Sequence, residues 1–332
     1  MAGTTLRAGL IGLGMMGRHH ARNLKALDGV ELVACADPGG DPHGAVPDLE
    51  VLPSAEALVE AGIDYAVVAV PTQFHRDVAL TFAEAGVHTL VEKPLAFDID
   101  EAEEITVAFE KVGLVGAVGY VERYNPALQE MRRRISEGQL GEIYQIATRR
   151  QGAFPARIRD VGVVKDLATH DLDLTAWVAQ STYSQLAAHS TRRSGREVED
   201  MVSISGNLAD GTITNHLVNW LSPFKERVTV VTGEKGALIA DTVTADLSFH
   251  SNADAEVNVW ETMASFRGVS EGDKIHYSLQ RKEPLAAEHE AFRDAVNGQG
   301  TNIVSMREGL QTVRAVEGVL ESARTGAPSR LG

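Results

Sequence analysis

Residues 6–37 read LRAGLIGLGMMGRHHARNLKALDGVELVACAD. An apolar run, Leu6 to Ile11, ends in Gly12-x-Gly14-x-x-Gly17 and a stretch of helical character; a second apolar run, Val30 to Ala36, then closes on Asp37. That order specifies a βαβ dinucleotide-binding unit, because each piece has its own physical task. Gly12 permits the tight turn off the strand, Gly14 lets backbone amides approach a pyrophosphate with no Cβ in the way, and Gly17 lets the helix pack close. Met15 and Met16 stand within the loop, where their backbone N–H groups are expected to face the phosphates. Asp37 lies about 20 residues past Gly17, where a carboxylate takes both ribose hydroxyls and repels a 2′-phosphate. The expected cofactor is NAD rather than NADP.

The rest of the 332-residue chain is long enough for two domains, and with 44% hydrophobic residues it can bury large cores. Its 46 acidic against 31 basic residues give a net charge of −15, which argues against nucleic acid or an anionic membrane as partner. The single cysteine, Cys35, sits in the second apolar run and reads as a buried structural thiol in a reducing cytoplasm. The apolar start, Ala8 to Met16, is broken by glycines and lacks a signal-peptide cleavage pattern, and no run approaches the roughly 18 apolar residues a bilayer span needs.

After Asp37, a Gly/Pro/Asp-rich loop to about Pro47 leads back into alternation. Tyr65 to Val70 and Gly86 to Val91 read as buried parallel strands, with helices to about Ala85 and over about 98–111, and a last strand at Leu114 to Gly119. This predicts a Rossmann domain, a doubly wound parallel sheet over residues 1–122. Past Asn125-Pro126 the pattern changes: a helix over about 126–137, a strand over about 142–152, a loop from Phe154 to Val164 and a helix over about 165–179. Strand-like stretches follow at about 184–191, 201–208, 212–220, 226–232 and 237–240, joined by hairpin signals such as Ala209-Asp210-Gly211, and helices over about 284–297 and 305–325 close the chain. Consecutive strands without helices predict an α+β domain over 123–332 with a large mixed or antiparallel open sheet, for substrate binding and oligomerisation. Helices on one face only would leave an apolar face, so strands such as Ile213 to Trp220 and Val228 to Val231 are expected to pair between subunits in a homodimer or homotetramer.

Two constellations carry chemistry. Glu92-Lys93-Pro94 ends a predicted strand, at the sheet edge where α/β proteins bind ligands, so Lys93 is expected to face the cofactor and not solvent. Lys165-Asp166-Leu167-Ala168-Thr169-His170 opens a helix in which Asp166 and His170, four apart, share one face. No metal site is expected: His19, His20, His75, His88 and His170 lie on separate elements, and one cysteine excludes a structural zinc cluster. His19 and His20, near the start of the first helix, read as packing or solvent-facing residues, with one of them a lesser candidate for a place near the cofactor.

Taken together, GLGMMGRHHARNL, AVPTQFH, GVHTLVEKPLA, GYVERYNPA and KDLATHDLDL resemble the Gfo/Idh/MocA family of NAD(P)-dependent sugar and cyclitol dehydrogenases over the whole chain. The resemblance implies that Lys93 and His170 lie beside the reacting hydroxyl, that the Lys93-Pro94 bond is cis, and that Pro71, Thr72, His75, Glu92 and Lys93 join the cofactor contacts. It also implies Arg123, Tyr124, Asn125, Lys165 and Thr169 as substrate contacts. Phe154 to Val164, Asn219 to Lys225 and Thr232 to Gly236 resemble the UDP-N-acetylglucosamine 3-dehydrogenase branch, with Arg157, Arg159 and Lys225 as candidates for a diphosphate or sugar carboxylate.

Removing a hydride from a carbinol requires a proton acceptor and stabilisation of developing alkoxide charge. His170 suits the first task near neutrality and a Lys93 ammonium the second, although a desolvated Lys93 could itself be the base; Asp166 would hold a substrate hydroxyl or orient the histidine. The alternatives are an inositol or free-sugar dehydrogenase, for which the Arg-rich loop would be unnecessary, and a non-catalytic NAD-binding regulatory protein, which needs neither Lys93 nor His170.

Overall fold

The computed structural model describes residues 5–155, 161–253 and 271–331. Two compact units make up the chain: Met1–Tyr124 with Glu283–Glu317, and Asn125–Lys282 with Gly318–Gly332.

In the first unit β1 (Leu6–Ile11), β2 (Val30–Ala36), β3 (Val51–Leu52), β4 (Tyr65–Val68), β5 (His88–Glu92) and β6 (Gly116–Gly119) form one sheet in the order β3-β2-β1-β4-β5-β6, every pair parallel. This is the doubly wound Rossmann arrangement. Its strands are apolar on both faces, and alternation sends neighbours to opposite sides: Tyr65 and Val67 enter one core cluster with Leu10 and Leu24, while Ala66 and Val68 enter the other with Phe82 and Ile105. The flanking helices are α1 (Met15–Ala26), α2 (Ala55–Glu60), α3 (His75–Glu84) and α4 (Ile99–Val112). α4 shows both end signals: Asp98 accepts the Glu101 N–H at its start, and Gly113, at φ 68°, ends it.

Residues 283–317 return to the first unit. Phe292 of α7 (Pro284–Val296) packs edge-on to Tyr65 with ring centroids 5.4 Å apart, and Met306, Leu310 and Val313 of α8 (Met306–Thr325) complete the opposite cluster. These contacts join segments far apart in sequence, beyond the reach of local periodicity.

In the second unit a nine-stranded mixed sheet runs in the order β14-β13-β12-β11-β7-β10-β9-β8-β15. Its strands are β7 (Ile143–Ala153), β8 (Tyr183–Thr191), β9 (Met201–Leu208), β10 (Ile213–Asn219), β11 (Leu221–Gly233), β12 (Gly236–Asp241), β13 (Asp246–Asn252), β14 (Glu271–Tyr277) and β15 (Ser329–Arg330). Among these pairs only β7 and β10 are parallel. One face is covered by α5 (Pro126–Ser136) and α6 (Thr169–Ala179), whose Leu128, Met131, Leu174 and Trp177 meet Ile146, Val231, Leu238 and Phe249. Among the described residues no helix is long and apolar enough to cross a membrane.

Candidate active site

The glycine loop takes the geometry its sequence implies. Gly12 has φ 92°, and a Cβ there would lie 2.6 Å from the Ala69 carbonyl; a Cβ on Gly17 would lie 1.9 Å from the Gly12 oxygen. Around Gly14, by contrast, a Cβ would meet nothing within 4 Å. That open cradle faces the first turn of α1, where Gly14 supplies no side-chain cap and no acid stands, so the N–H groups of Met15, Met16 and Gly17 suit an anion. Asp37 closes the loop from β2: its carboxylate accepts the Leu13 N–H and the Gly39 N–H, both at 2.7 Å. The residues present fit a dinucleotide.

Along the same carboxyl edge, Lys93 follows β5, half-buried, in a cis peptide with Pro94. The segment is held from two sides. Glu92 Oε2 accepts the Lys93 N–H at 3.1 Å, and His75 places Nδ1 at 2.9 Å from the Pro94 oxygen and Nε2 at 3.0 Å from the Val70 oxygen. His75 is buried, with both ring nitrogens against carbonyls; burial lowers its pKa and those carbonyls only partly restore it. It therefore positions the Lys93-Pro94 segment. Pro71 and Thr72, just before it, are more exposed.

Arg123, Tyr124 and Asn125 are all buried. Arg123 donates to Glu308 at 2.5 Å, the Tyr124 hydroxyl donates to the Asn302 carbonyl at 3.1 Å, and Asn125 caps α5 through the Ala127 N–H while its amide donates to Thr242.

In the second unit Asp166 lies on a π-turn, Val164–Ala168, that runs directly into α6, whose first turn carries His170. The sequence predicts one regular helix here. The wider turn still leaves residues four apart nearly in line, and such turns recur at functional sites. Glu199 anchors its start: the Glu199 carbonyl accepts the Val163 N–H at 2.9 Å, and its carboxylate accepts the Val164 N–H at 3.2 Å. Asp166 and Thr169 are buried, while Lys165 and His170 are half-buried. The next turn is pinned underneath by an ion pair between Arg150 Nε and Asp171 Oδ2 at 2.9 Å, both side chains at most 4% exposed. Lys225 is exposed beside Phe224, where β11 shifts register against β7. Arg157 and Arg159 lie outside the described residues. Among the described residues no group of His, Cys, Asp and Glu is arranged to hold a metal ion.

Residues 6–120 match the Gfo/Idh/MocA oxidoreductase model described as an NAD-binding Rossmann fold, and residues 128–239 match the Gfo/Idh/MocA C-terminal domain. The chain belongs to the Gfo/Idh/MocA family. It is 30% identical over 194 residues to scyllo-inositol 2-dehydrogenase (NAD(+)) of Bacillus subtilis, covering 55% of this chain and 57% of that protein. It is also 30% identical over 213 residues to UDP-N-acetylglucosamine 3-dehydrogenase of Acidithiobacillus ferrooxidans, covering 63% of this chain and 66% of that one. Both matches thus span under two thirds of the relatives' length. The solved structure of the Acidithiobacillus enzyme superposes with a TM-score of 0.82 at 25% identity, covering 96% of this chain and 97% of the other.

Within this Gfo/Idh/MocA chain, sequence reasoning missed a buried cluster beside Lys93. His20, expected to be packing or solvent-facing, is fully buried, with Nε2 2.8 Å from Glu92 Oε1 and Nδ1 2.9 Å from His289 Nε2 of α7. The available signal was helical spacing: Gly17, His20, Ala21 and Leu24 form the buried stripe of α1. Burial favours the neutral acid of Glu92, but the His20 hydrogen bond and charge, with Lys93, hold its pKa below the usual carboxylate value. Glu288, 1% exposed, has no hydrogen-bond partner at either carboxylate oxygen; burial, then the charge of Glu92, raise its pKa well above the ordinary value.

That acid costs stability at neutral pH. Its proton is held more tightly in the folded chain, so stability falls as pH rises above the unfolded value of about 4.3 towards the raised folded value. Glu288→Gln is expected to unfold at least ~2–4 °C higher than the parent at neutral pH, about 1 kcal/mol, with the gap closing near pH 4. An unchanged or lower midpoint at neutral pH in calorimetry contradicts the assignment of a neutral buried acid.

Proposed function

We propose that the protein is an NAD-dependent dehydrogenase that oxidises a secondary ring hydroxyl of a sugar, with C3 of a UDP-N-acetylglucosamine-type nucleotide sugar as the specific substrate position. The observation that carries the reading is the carboxyl edge of the parallel sheet, where an open glycine cradle, Asp37 and a doubly clamped Lys93 share one rim. A regulatory protein that only senses a dinucleotide has no use for a lysine held there.

Gly12, Gly14, Gly17 and the amides of Met15 and Met16 would hold the NAD phosphates, and Asp37 the adenosine ribose. NAD, when bound, supplies the hydride acceptor. The chain supplies the rest: the Lys93 ammonium stabilises negative charge developing on the hydroxyl oxygen, His170 accepts its proton, and Asp166 orients the imidazole or a neighbouring hydroxyl. Lys165 on the π-turn and exposed Lys225 are the described cations we assign to an anionic part of the substrate. The inositol relatives keep a polyol reading as the second choice.

The Pro38-Gly39-Gly40 turn after Asp37 carries no cation to meet a 2′-phosphate. NAD should therefore bind at least ~tenfold tighter than NADP, about 1.4 kcal/mol, and Asp37→Ala should narrow that gap while weakening NAD itself, because the Leu13 N–H loses its acceptor. Equal affinities in calorimetry contradict this.

We further infer a homodimer or homotetramer built through the sheet face opposite α5 and α6. Ile213 and Leu217 are exposed there and Val228 and Val230 half-exposed, whereas Val218, Trp220 and Val231 point into the core. The face is less apolar than the sequence implies, since Ser203, Ser205 and Asn207 alternate with the buried residues of β9. Light scattering should show a dimer or larger; a stable dilute monomer contradicts it. A reducing cytoplasm fits the one thiol, Cys35, which is buried and pushed up to about 12 by that burial.

A further inference from the structure

Glu92, the last residue of β5, is built into the sheet with little freedom. Opposite it on β6, a Cβ on Gly119 would come within 3.3 Å of both Glu92 Cα and Cδ, a tight approach that the glycine relieves. From that seat Oε2 takes the Lys93 N–H and Oε1 meets His20 Nε2. Behind His20 stands His289, 1% exposed, edge-on at 5.1 Å between ring centroids and with a buried Nδ1 that has no hydrogen-bond partner. The chain therefore runs Lys93 N–H, Glu92, His20, His289, across the end of β5, the helix that opens at the glycine loop, and α7.

The proton count along it is constrained. A carboxylate can only accept, so His20 Nε2 carries the hydrogen that faces Glu92. Between the two imidazoles one hydrogen is shared: either His289 Nε2–H donates to a neutral His20, or an imidazolium His20 donates from Nδ1 to His289. Both arrangements leave the Nε2–H of His20 on Glu92. Burial, and then the neighbouring His20, hold His289 neutral by lowering its pKa well below the ordinary value. Such a buried polar chain is costly to assemble, and an isosteric apolar packing of α1 on α7 would serve stability at least as well.

We propose that His20 and His289 are positioning residues for the Lys93 centre, holding Glu92 as a fixed anion that clamps the peptide entering Lys93 and fixes where its ammonium stands. This rests on the dehydrogenase reading, which it deepens: the placement of the charge that stabilises the alkoxide depends on an imidazole in the first helix and on a second one 269 residues further along the chain. Misplacement of a reacting group by about 1 Å costs up to roughly a hundredfold in rate, so the effect of losing the clamp is expected in the chemical step.

The test combines kinetics with histidine NMR on the full chain. In ¹⁵N-histidine-labelled protein the His20 Nε2–H should be seen as a solvent-protected resonance that is displaced or lost in Glu92→Gln and moved in His289→Gln. With a turned-over alcohol, His20→Ala should lower kcat by about tenfold to a hundredfold while NADH affinity and the KM for NAD change less than ~threefold. His20→Gln, whose amide N–H can reach the same carboxylate, should restore most of the loss. Histidine resonances indifferent to Glu92→Gln, or a His20→Ala variant with the parent's kcat, overturn the proposal, as does a loss of NADH affinity in step with kcat. If the parent chain oxidises no alcohol, the dehydrogenase reading fails on its own, and the NMR arm still decides whether the chain of contacts exists.

Discussion

Lys93→Ala and His170→Ala are each expected to lose at least ~100-fold in kcat while binding NADH with the parent's affinity. The size follows from the chemistry. A secondary hydroxyl is a very weak acid, so hydride departure needs its proton removed and the resulting charge met by a cation; each contribution is made chiefly in the transition state. An interaction of that kind, when removed, lowers kcat and kcat/KM together, about 2.7 kcal/mol for a hundredfold loss. NADH binding should be spared, because the glycine loop and Asp37 that would hold it are built from β1, β2 and α1 and do not depend on either side chain. Stopped-flow and steady-state turnover, paired with NADH fluorescence titration, separate the two readouts. Parent-like turnover in either variant removes that residue from the mechanism.

The second large effect concerns what the substrate carries besides its ring. If Lys165, Lys225, Arg157 or Arg159 grips a diphosphate or a carboxylate, binding energy remote from the reacting carbon orients it, and a truncated sugar loses kcat/KM. A UDP-activated N-acetylhexosamine or its uronic acid should exceed free N-acetylglucosamine and myo-inositol by at least about 100-fold in kcat/KM, roughly 2.7 kcal/mol. Comparable efficiency on myo-inositol moves the assignment to the polyol reading and leaves the dehydrogenase reading standing. Lys225→Ala should narrow the gap if that exposed lysine is one of the grips.

Most of the first unit was legible because its signals are local. Gly12, Gly14, Gly17 and Asp37 lie within one βαβ unit, and the strands Tyr65–Val68 and His88–Glu92 are short β-branched runs bounded by polar turns. The second sheet was legible wherever alternation is clean, as in Met201–Leu208, and was lost where it is not: Asp246–Asn252 and the edge strand Glu271–Tyr277 are too polar to read as strands, although backbone pairing with their neighbours holds them. The register shift in Leu221–Gly233 likewise hid how far that strand extends.

Residues at the candidate site divide in the same way. Lys93 follows β5 at the carboxyl edge, where strand logic puts it, whereas the partners of Arg123 and Tyr124, Glu308 and Asn302, lie far along the chain. The contact of His75 with the Pro94 carbonyl was not legible either, since it depends on how the loop after β5 folds back. His20 is a packing residue, as helical spacing allows, but nothing near it in sequence announces its partners Glu92 and His289. Pairings of this separation follow from packing, and packing is decided by the whole domain.

The most direct measurement is NADH formation by the purified chain with NAD and a panel of UDP-sugars, inositols and free hexoses, run beside Lys93→Ala and His170→Ala. The expected result is turnover of at least one ring alcohol, greatest for a UDP-N-acetylhexosamine, that both substitutions abolish or nearly so. Tight NADH binding with no NADH formed from any alcohol in the panel would contradict the dehydrogenase reading and leave a dinucleotide-binding protein of another kind.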